Sequence, residues 1–326
     1  MAVAARVSPR TLDARDGDAA VIAEAVAVLR RGGLVALPTE TVYGLAARAL
    51  DPAALRRIFV AKGRPLTHPL IAHVLDLAGA AAVADDVEPA RALAAAFWPG
   101  PLTVILRRGR GPAELSAGLP TVAVRAPAHP VARAVIAALG EPIAAPSANR
   151  HQQVSPTTAA HVARSLGEAV DLILDGGATE QGIESTVVDL TGPPTILRPG
   201  PIDEATLRAH LPGLRGPQAT RLLHEAPRSS PGLDARHYAP RAPARRFADR
   251  RALSAGARDG VLFRGAAPPG PGTRIALPDE PVGYARGLYA ALHALDDAGV
   301  QAIWIEDVPA DVPWAAVRDR LTRATR

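Results

Sequence analysis

Leu34-Val-Ala-Leu-Pro-Thr-Glu-Thr-Val-Tyr-Gly44 is the stretch from which the fold can be read. Leu34 to Leu37 is a short, unbroken apolar run, the pattern of a strand covered on both faces. It stops at Pro38 and gives way to hydroxyls, a carboxylate and a tyrosine. A buried strand that ends in polar groups is the unit from which α/β ligand sites are built. Working backwards, Asp16 or Asp18 can cap an apolar helix over Ala19–Arg31, which Gly32-Gly33 terminates. Working forwards, Asp51-Pro52 opens a second helix that runs to about Ala61.

The alternation continues. Leu70–Val74, Leu102–Leu106, Val122–Arg125, Pro142–Ala145, Leu172–Leu174 and Ser185–Leu190 read as strands. Helices are predicted at about Pro89–Phe97, Pro130–Leu139 and Thr158–Leu166, the last behind a Ser155-Pro-Thr start signal. The fold class is therefore α/β. Several connections are too short for a crossover, so the sheet should mix strand directions. From about Leu211 to Pro243 proline, glycine and arginine dominate, which reads as a linker. A smaller α/β pattern follows: strands at Val261–Phe263, Arg274–Leu277 and Ala302–Ile305, a helix over Tyr284–Leu295, and a terminal helix from Trp314. The predicted organisation is a first domain over 1–212, a linker over 213–243 and a second domain over 244–326.

Composition agrees. At roughly 150 residues per domain, 326 residues suggest two domains. Apolar residues make up 48% and charged residues 21%, which is globular and not disordered. The absence of cysteine excludes disulfides, thiolate-held zinc, iron–sulfur clusters and thiol nucleophiles. No apolar run approaches the ~18 residues of a membrane span, and the first residues lack a signal-peptide core, so a cytoplasmic chain without a membrane partner is expected. The net charge of +5 suits an anionic ligand. Lys62 is the one lysine in the chain; the other basic residues, among 37 in all, are arginine. A chain that otherwise uses arginine retains its lysine where a compact ammonium works and a planar fork does not.

Walker A, Gly-x-Gly-x-x-Gly, His-Glu-x-x-His and Gly-x-Ser-x-Gly motifs are absent. Present instead are polar segments at strand ends. Lys62-Gly-Arg64 sets two cations around a glycine, able to clamp phosphate or carboxylate oxygens. Ser147-Ala-Asn149 would project two polar side chains the same way, and Ser155 follows at a helix start, where free N–H groups favour anions. Ser185 opens a strand, while Arg125 and Arg198 close theirs.

As a set, Pro38-Thr-Glu-Thr-Val-Tyr-Gly44, Lys62-Gly-Arg-Pro65, Pro99-Gly-Pro-Leu-Thr103, Ser147-Ala-Asn149, Ser155-Pro-Thr-Thr158, Ser185-Thr-Val-Val-Asp189 and Leu197-Arg-Pro-Gly200 resemble the YrdC/Sua5 family of threonylcarbamoyl-AMP synthases. The linker piece running from Ser230-Pro-Gly to His237-Tyr-Ala-Pro240 resembles the two-domain Sua5 type. The resemblance implies a YrdC-like twisted mixed sheet with helices and a smaller, Rossmann-like Sua5 domain. It implies a nucleotidyltransferase reaction in which L-threonine, bicarbonate or CO2 and ATP give threonylcarbamoyl-AMP and pyrophosphate. Mg²⁺ would ride on the phosphates, and no protein metal site is implied. The product would pass to a transferase complex that makes N6-threonylcarbamoyladenosine in tRNA, with at most weak contact to tRNA itself. Lys62 and Arg64 are the implied catalytic cations. Thr121, Ser147, Asn149, Ser155, Arg198 and Tyr238 would join them around ATP. Thr39, His73, Arg125, Ala145 (through its backbone) and Ser185 would hold threonine. Tyr238 would act as a lid. His68, Gln152 and Asp234-Ala235 depart from the family pattern, at positions bearing on loop conformation and linker docking.

Two other readings compete. An RNA-binding module could use the same basic cleft, but aromatics are only 3% and no basic run exists, so a stacking platform is lacking. A carbamoyltransferase of the hydrogenase-maturation kind would need a zinc-finger module that a cysteine-free chain cannot build.

Overall fold

The computed structural model describes residues 9–217 and 236–326. The linker residues Ser230 to Ala235, including the departure at Asp234-Ala235, lie outside the described residues.

Ten strands form one sheet: β1 (Thr11–Asp13), β2 (Val35–Leu37), β3 (Gly44–Arg48), β4 (Ile71–His73), β5 (Leu102–Arg107), β6 (Thr121–Arg125), β7 (Ile143–Ala144), β8 (Leu172–Asp175), β9 (Thr186–Asp189) and β10 (Thr195–Arg198). Their order is β1-β8-β2-β3-β7-β4-β6-β5-β9-β10. Directions are mixed as expected: β2 pairs β3 antiparallel, while β4 pairs β6 and β5 pairs β9 parallel. Two of these strands, β1 and β3, were not visible in the sequence pattern. Leu45-Ala-Ala-Arg-Ala looks helical by propensity, yet β2 and β7 flank it on both edges and tertiary pairing overrides the preference.

In β4, β5, β6, β9 and β10 alternate residues bury against different partners. Ala72, Val104, Val122, Val124, Val188 and Ile196 join the large core beneath the helices. Ile71, Ile105, Ala123, Val187 and Leu197 form a small cluster on the opposite face. His73, two residues from Ile71, and Arg125, two from Ala123, share that second face.

Helix α1 (Ala19–Arg30) starts at an Asp18 cap, and α2 (Pro52–Lys62) starts at Asp51, whose carboxylate accepts from Ala53 N and Ala54 N with Pro52 behind it. Leu55, Ile58 and Phe59 anchor α2 in the core, each burial worth roughly 1.5–3 kcal/mol. Gly63 ends the helix at φ 61°, a left-handed turn that returns Arg64 N to Phe59 O at 2.9 Å. A helix over Glu204–His210, also absent from the sequence reading, packs Leu207 into the same core.

The second sheet contains β11 (Ala244–Phe247), β12 (Gly260–Arg264), β13 (Thr273–Leu277) and β14 (Ile303–Glu306), all parallel, in the order β11-β14-β12-β13. Ala-Arg-Arg-Phe of β11 carries no apolar run because it is a half-exposed edge strand. Helices Pro281–Asp297 and Ala315–Ala324 cover this sheet. Val42, Val154, Ile183 and Tyr238 pack into the second domain's core with Leu288 and Tyr289, so the two units share apolar surface. At Gly182 (φ 72°) the backbones nearly touch; a Cβ there would lie 2.4 Å from Arg286 O.

Candidate active site

The polar residues gather in a cavity on the second face of the large sheet. Thr39, Arg64, His73, Arg125, Ala145, Ser147, Ser185, Arg198 and Tyr238 all line it, as do Thr41, Glu184 and His237. The strand-end expectation holds: His73, Arg125 and Arg198 close β4, β6 and β10, and Ser185 directly precedes β9, although β4 and β7 run antiparallel. They meet because the sheet brings one face of several short strands around a common space.

Four residues predicted for the site lie off the lining. Lys62 turns its ammonium to the carbonyls of Ser147 and Asn149, tying the end of α2 to that segment. Burial, helped by the neighbouring Arg64 charge, pulls the Lys62 ammonium well below its ordinary pKa. Asn149 donates both amide hydrogens, to Arg150 O (2.9 Å) and Gln153 O (2.8 Å). Its Oδ1 is buried with no hydrogen-bond partner among the described residues. Ser155 donates to Glu184 Oε1 at 2.6 Å and so reaches the cavity through that carboxylate. Thr121 is the outlier. It opens β6, about 13 Å along the strand from Arg125, and the structure does not bring it to the cavity.

On the threonine side of the prediction, Thr39 donates to Val42 O at 2.6 Å and Arg125 donates to Thr41 Oγ1 at 2.8 Å. Arg125 also pairs with Glu40 at 2.6 Å, both side chains 5% exposed. Burial pushes the Glu40 carboxyl up, but Arg125 outweighs it and the net shift is down. His73 donates Nδ1–H to Ile71 O, and burial with the Arg125 charge pulls its pKa down to about 3, so it is neutral at physiological pH. Thr103 and Ser185 share a hydroxyl hydrogen bond of 2.8 Å. Arg198 donates to Ser185 O and Ser185 Oγ, each at 3.1 Å.

The linker closes the space. Ala239 N donates to Gln152 O at 2.9 Å, docking the segment on the loop where Gln152 departs from the family's glycine. Gln152 has φ 67°, the left-handed region that explains a glycine preference there. Tyr238, 1% exposed, also lies in this region at φ 59°. A non-glycine residue there costs about 1–3 kcal/mol, so its surroundings must hold it. His237 lies edge-on to Tyr238 and to His151. Burial and the charges of Arg64 and Lys62 keep His237 well below the usual histidine pKa. What remains open is about 50 Å³, room for little more than a water or two and far below the roughly 300–1,000 Å³ of a small-molecule pocket.

Glu40, Thr41 and Thr103 lie inside the sequence motifs, and Glu184 one residue before Ser185-Thr-Val-Val-Asp189, yet none is singled out by the sequence. Arg320 and Tyr289, which reach Glu184 from the second domain, carry no sequence signal.

The cavity of this mixed-sheet α/β protein concentrates guanidinium groups and hydroxyls, donors whose chemistry suits an anionic small molecule. The chain belongs to the Sua5/YciO/YrdC family. The family profile described as "Telomere recombination" matches residues 27–200, and that described as "Threonylcarbamoyl-AMP synthase, C-terminal domain" matches 202–325. It is 40% identical to the threonylcarbamoyl-AMP synthase of Pyrococcus abyssi, over 92% of this chain and 93% of that one. It is 38% identical to the threonylcarbamoyl-AMP synthase of Bacillus subtilis, over 93% and 92%. The crystal structure of P. abyssi Sua5 complexed with L-threonine superposes with a TM-score of 0.85 at 38% identity, covering 93% and 94% of the two chains.

Proposed function

We propose that this chain makes threonylcarbamoyl-AMP and pyrophosphate from L-threonine, bicarbonate or CO2 and ATP, supplying tRNA threonylcarbamoylation in the cytoplasm. The observation that carries the reading is the cavity itself: Arg64, Arg125 and Arg198 with Lys62 alongside, against the carboxylates Glu40 and Glu184. On this reading residues 1–212 hold the chemistry, 213–243 the lid and 244–326 its support.

The reaction joins two anions. Threonine's amine captures CO2 as a carbamate, a carbamate oxygen bonds to the α-phosphorus, and the bond to pyrophosphate breaks. Fixed cations offset that repulsion, and no protein nucleophile is needed. Arg125 with Thr39, Ser185 and the Ala145 backbone would hold threonine, beside neutral His73. Arg64, Arg198, Ser147 and Asn149 would hold ATP, Asn149 Oδ1 being free to accept from an adenine amino group. Ser155 would support that side through Glu184. Thr121 keeps only its resemblance-based role. Both Glu40 and Glu184 are engaged by arginines, so Mg²⁺ would arrive on the ATP phosphates. In a space of about 50 Å³ neither substrate fits until a wall moves. His237-Tyr238, on the linker between the two sheets, is the wall taken to move, and its return would exclude water from a hydrolysable anhydride.

The deciding experiment supplies ATP, threonine and labelled bicarbonate and looks for pyrophosphate and a labelled adenylate; neither appearing would end this reading. If buried hydroxyl partners read the threonine side chain, 2-aminobutyrate should be rejected strongly, while serine should lose only about 1–3 kcal/mol. Better use of 2-aminobutyrate than of serine would show that the Ser185 assignment is wrong.

A further inference from the structure

Arg320 belongs to the last helix of the second domain, yet its side chain is wholly buried and points into the first. Its Nε donates to Glu184 Oε2 at 2.8 Å and its Nη2 to Glu184 O at 3.1 Å. Its Nη1 donates to Pro199 O at 2.8 Å, one residue beyond Arg198. The guanidinium carbon lies over the Tyr238 ring, 5.3 Å from its centre, and Tyr289 stacks on the same ring at 5.8 Å. Tyr289 also donates its hydroxyl to Glu184 Oε2 at 3.0 Å. Burial pushes the Glu184 carboxyl up, but Arg320, Arg198 and the Ser155 hydrogen bond bring its pKa below the ordinary value, so it stays charged.

One side chain therefore touches a carboxylate, a strand end and a lid ring, all at the cavity, without lining the cavity itself. Only arginine combines several donors in one plane with a face that stacks. A buried ion pair is a poor way simply to glue two domains, since apolar residues do that without desolvating charge. We infer that Arg320 is a positioning residue through which the second domain seats Tyr238 over the cavity and holds Glu184 and the Arg198–Pro199 turn in place. The inference rests on the function proposed above for its effect on turnover, but the seating of Tyr238 is testable without it.

The experiment uses the full chain with Arg320→Lys, which keeps the charge and loses the fork and the flat face. Chymotrypsin should cut after Tyr238 at least tenfold faster in this variant, with the thermal midpoint within a few degrees of wild type. In the synthase assay the ATP KM should rise at least tenfold, with threonine KM and kcat changing less than threefold. Adding Tyr238→Ala to Arg320→Lys should produce little further loss, because both changes unseat the same ring. If Arg320→Lys does not fold, Tyr289→Phe, which keeps the ring and loses only the hydroxyl bond to Glu184, should show the same pattern at about threefold. Unchanged cleavage after Tyr238 overturns the inference whatever the assay shows. So do additive effects of the two substitutions, or a uniform fall in all kinetic constants that follows thermal stability. A wild-type chain that makes no adenylate would instead sink the proposed function, leaving the proteolysis to decide the clamp.

Discussion

Both sheets of this protein collect arginines, and the two collections behave differently. At the carboxyl ends of the small parallel sheet, Arg250 binds Glu306 at 2.6 Å, while Arg264 pairs with Asp279 and Arg246 with Asp307. Three cations meet three carboxylates, and the charge closes on itself. On the face of the large sheet, Lys62, Arg64, Arg125 and Arg198 gather with Glu40 and Glu184 around a buried cavity, Arg125 pairing with Glu40. Topology alone would have favoured the small sheet, because parallel strand ends are where α/β proteins usually bind ligands. The cavity points to the other sheet. Partly exposed pairs brace a fold, whereas buried cations gathered around a cavity can meet an anion.

The comparison breaks most sharply at Arg125. Arg125→Met should lower kcat/KM by about 10²–10³ and destabilise by about 3–5 kcal/mol, since Glu40 would be left buried and unpaired. Pyrophosphate release and urea unfolding measure the two effects, and a variant that keeps both would place Arg125 with the bracing pairs of the small sheet.

Acid should act next, and mainly on the first domain. Folded His73 and His161 titrate near 3, far below the ordinary ~6.5 of the unfolded chain. Their stability contribution is complete above about pH 6.5 and is lost as pH falls towards 3, because only the unfolded state takes up the proton. Within that window His73 alone gives a slope of about 1.4 kcal/mol per pH unit. Glu40 and Glu184, with lowered pKa values, add a loss that begins only below about pH 4.3. Urea midpoints that stay flat between pH 6.5 and 4.5 would contradict this.

Lys62→Arg should cost about tenfold in kcat/KM, roughly 1.4 kcal/mol, with the fold intact. Wild-type turnover in the variant would leave Lys62 as a helix-end brace. The smallest effect is expected at Asp279→Asn in the small sheet. Its pair with Arg264 is partly exposed, so the loss should be under about 1 kcal/mol with turnover unchanged. A large activity loss there would erase the distinction between the two clusters.

Sequence pattern reached the apolar strands β2, β5 and β6 and the capped helices α1 and α2 because their signals are local: an unbroken buried run, a cap, a terminating glycine. It missed β3, whose residues prefer a helix, and β11, whose edge position requires no apolar run. In the site, motif spacing brought out Arg64, Arg125, Ser185 and Arg198, all of which line the cavity. It does not show that Lys62 and Asn149 lie off the lining, since the direction in which a side chain turns depends on neighbours far along the chain.

By itself the sequence determined the class of fold, the lysine kept among arginines, the cysteine-free chemistry and the set of motifs that marks the family. These are properties of residues and their near neighbours. Only the tertiary structure decided that strand ends of both directions meet over one face of the large sheet. It alone decided that Lys62 turns to the Ser147 and Asn149 carbonyls, that Tyr238 lines the cavity, and that Arg320, more than a hundred residues from Glu184, reaches it. Such pairings depend on which distant segments share a dry interior, where an unpaired charge is costly and each polar group must find a partner. No local pattern encodes that partner.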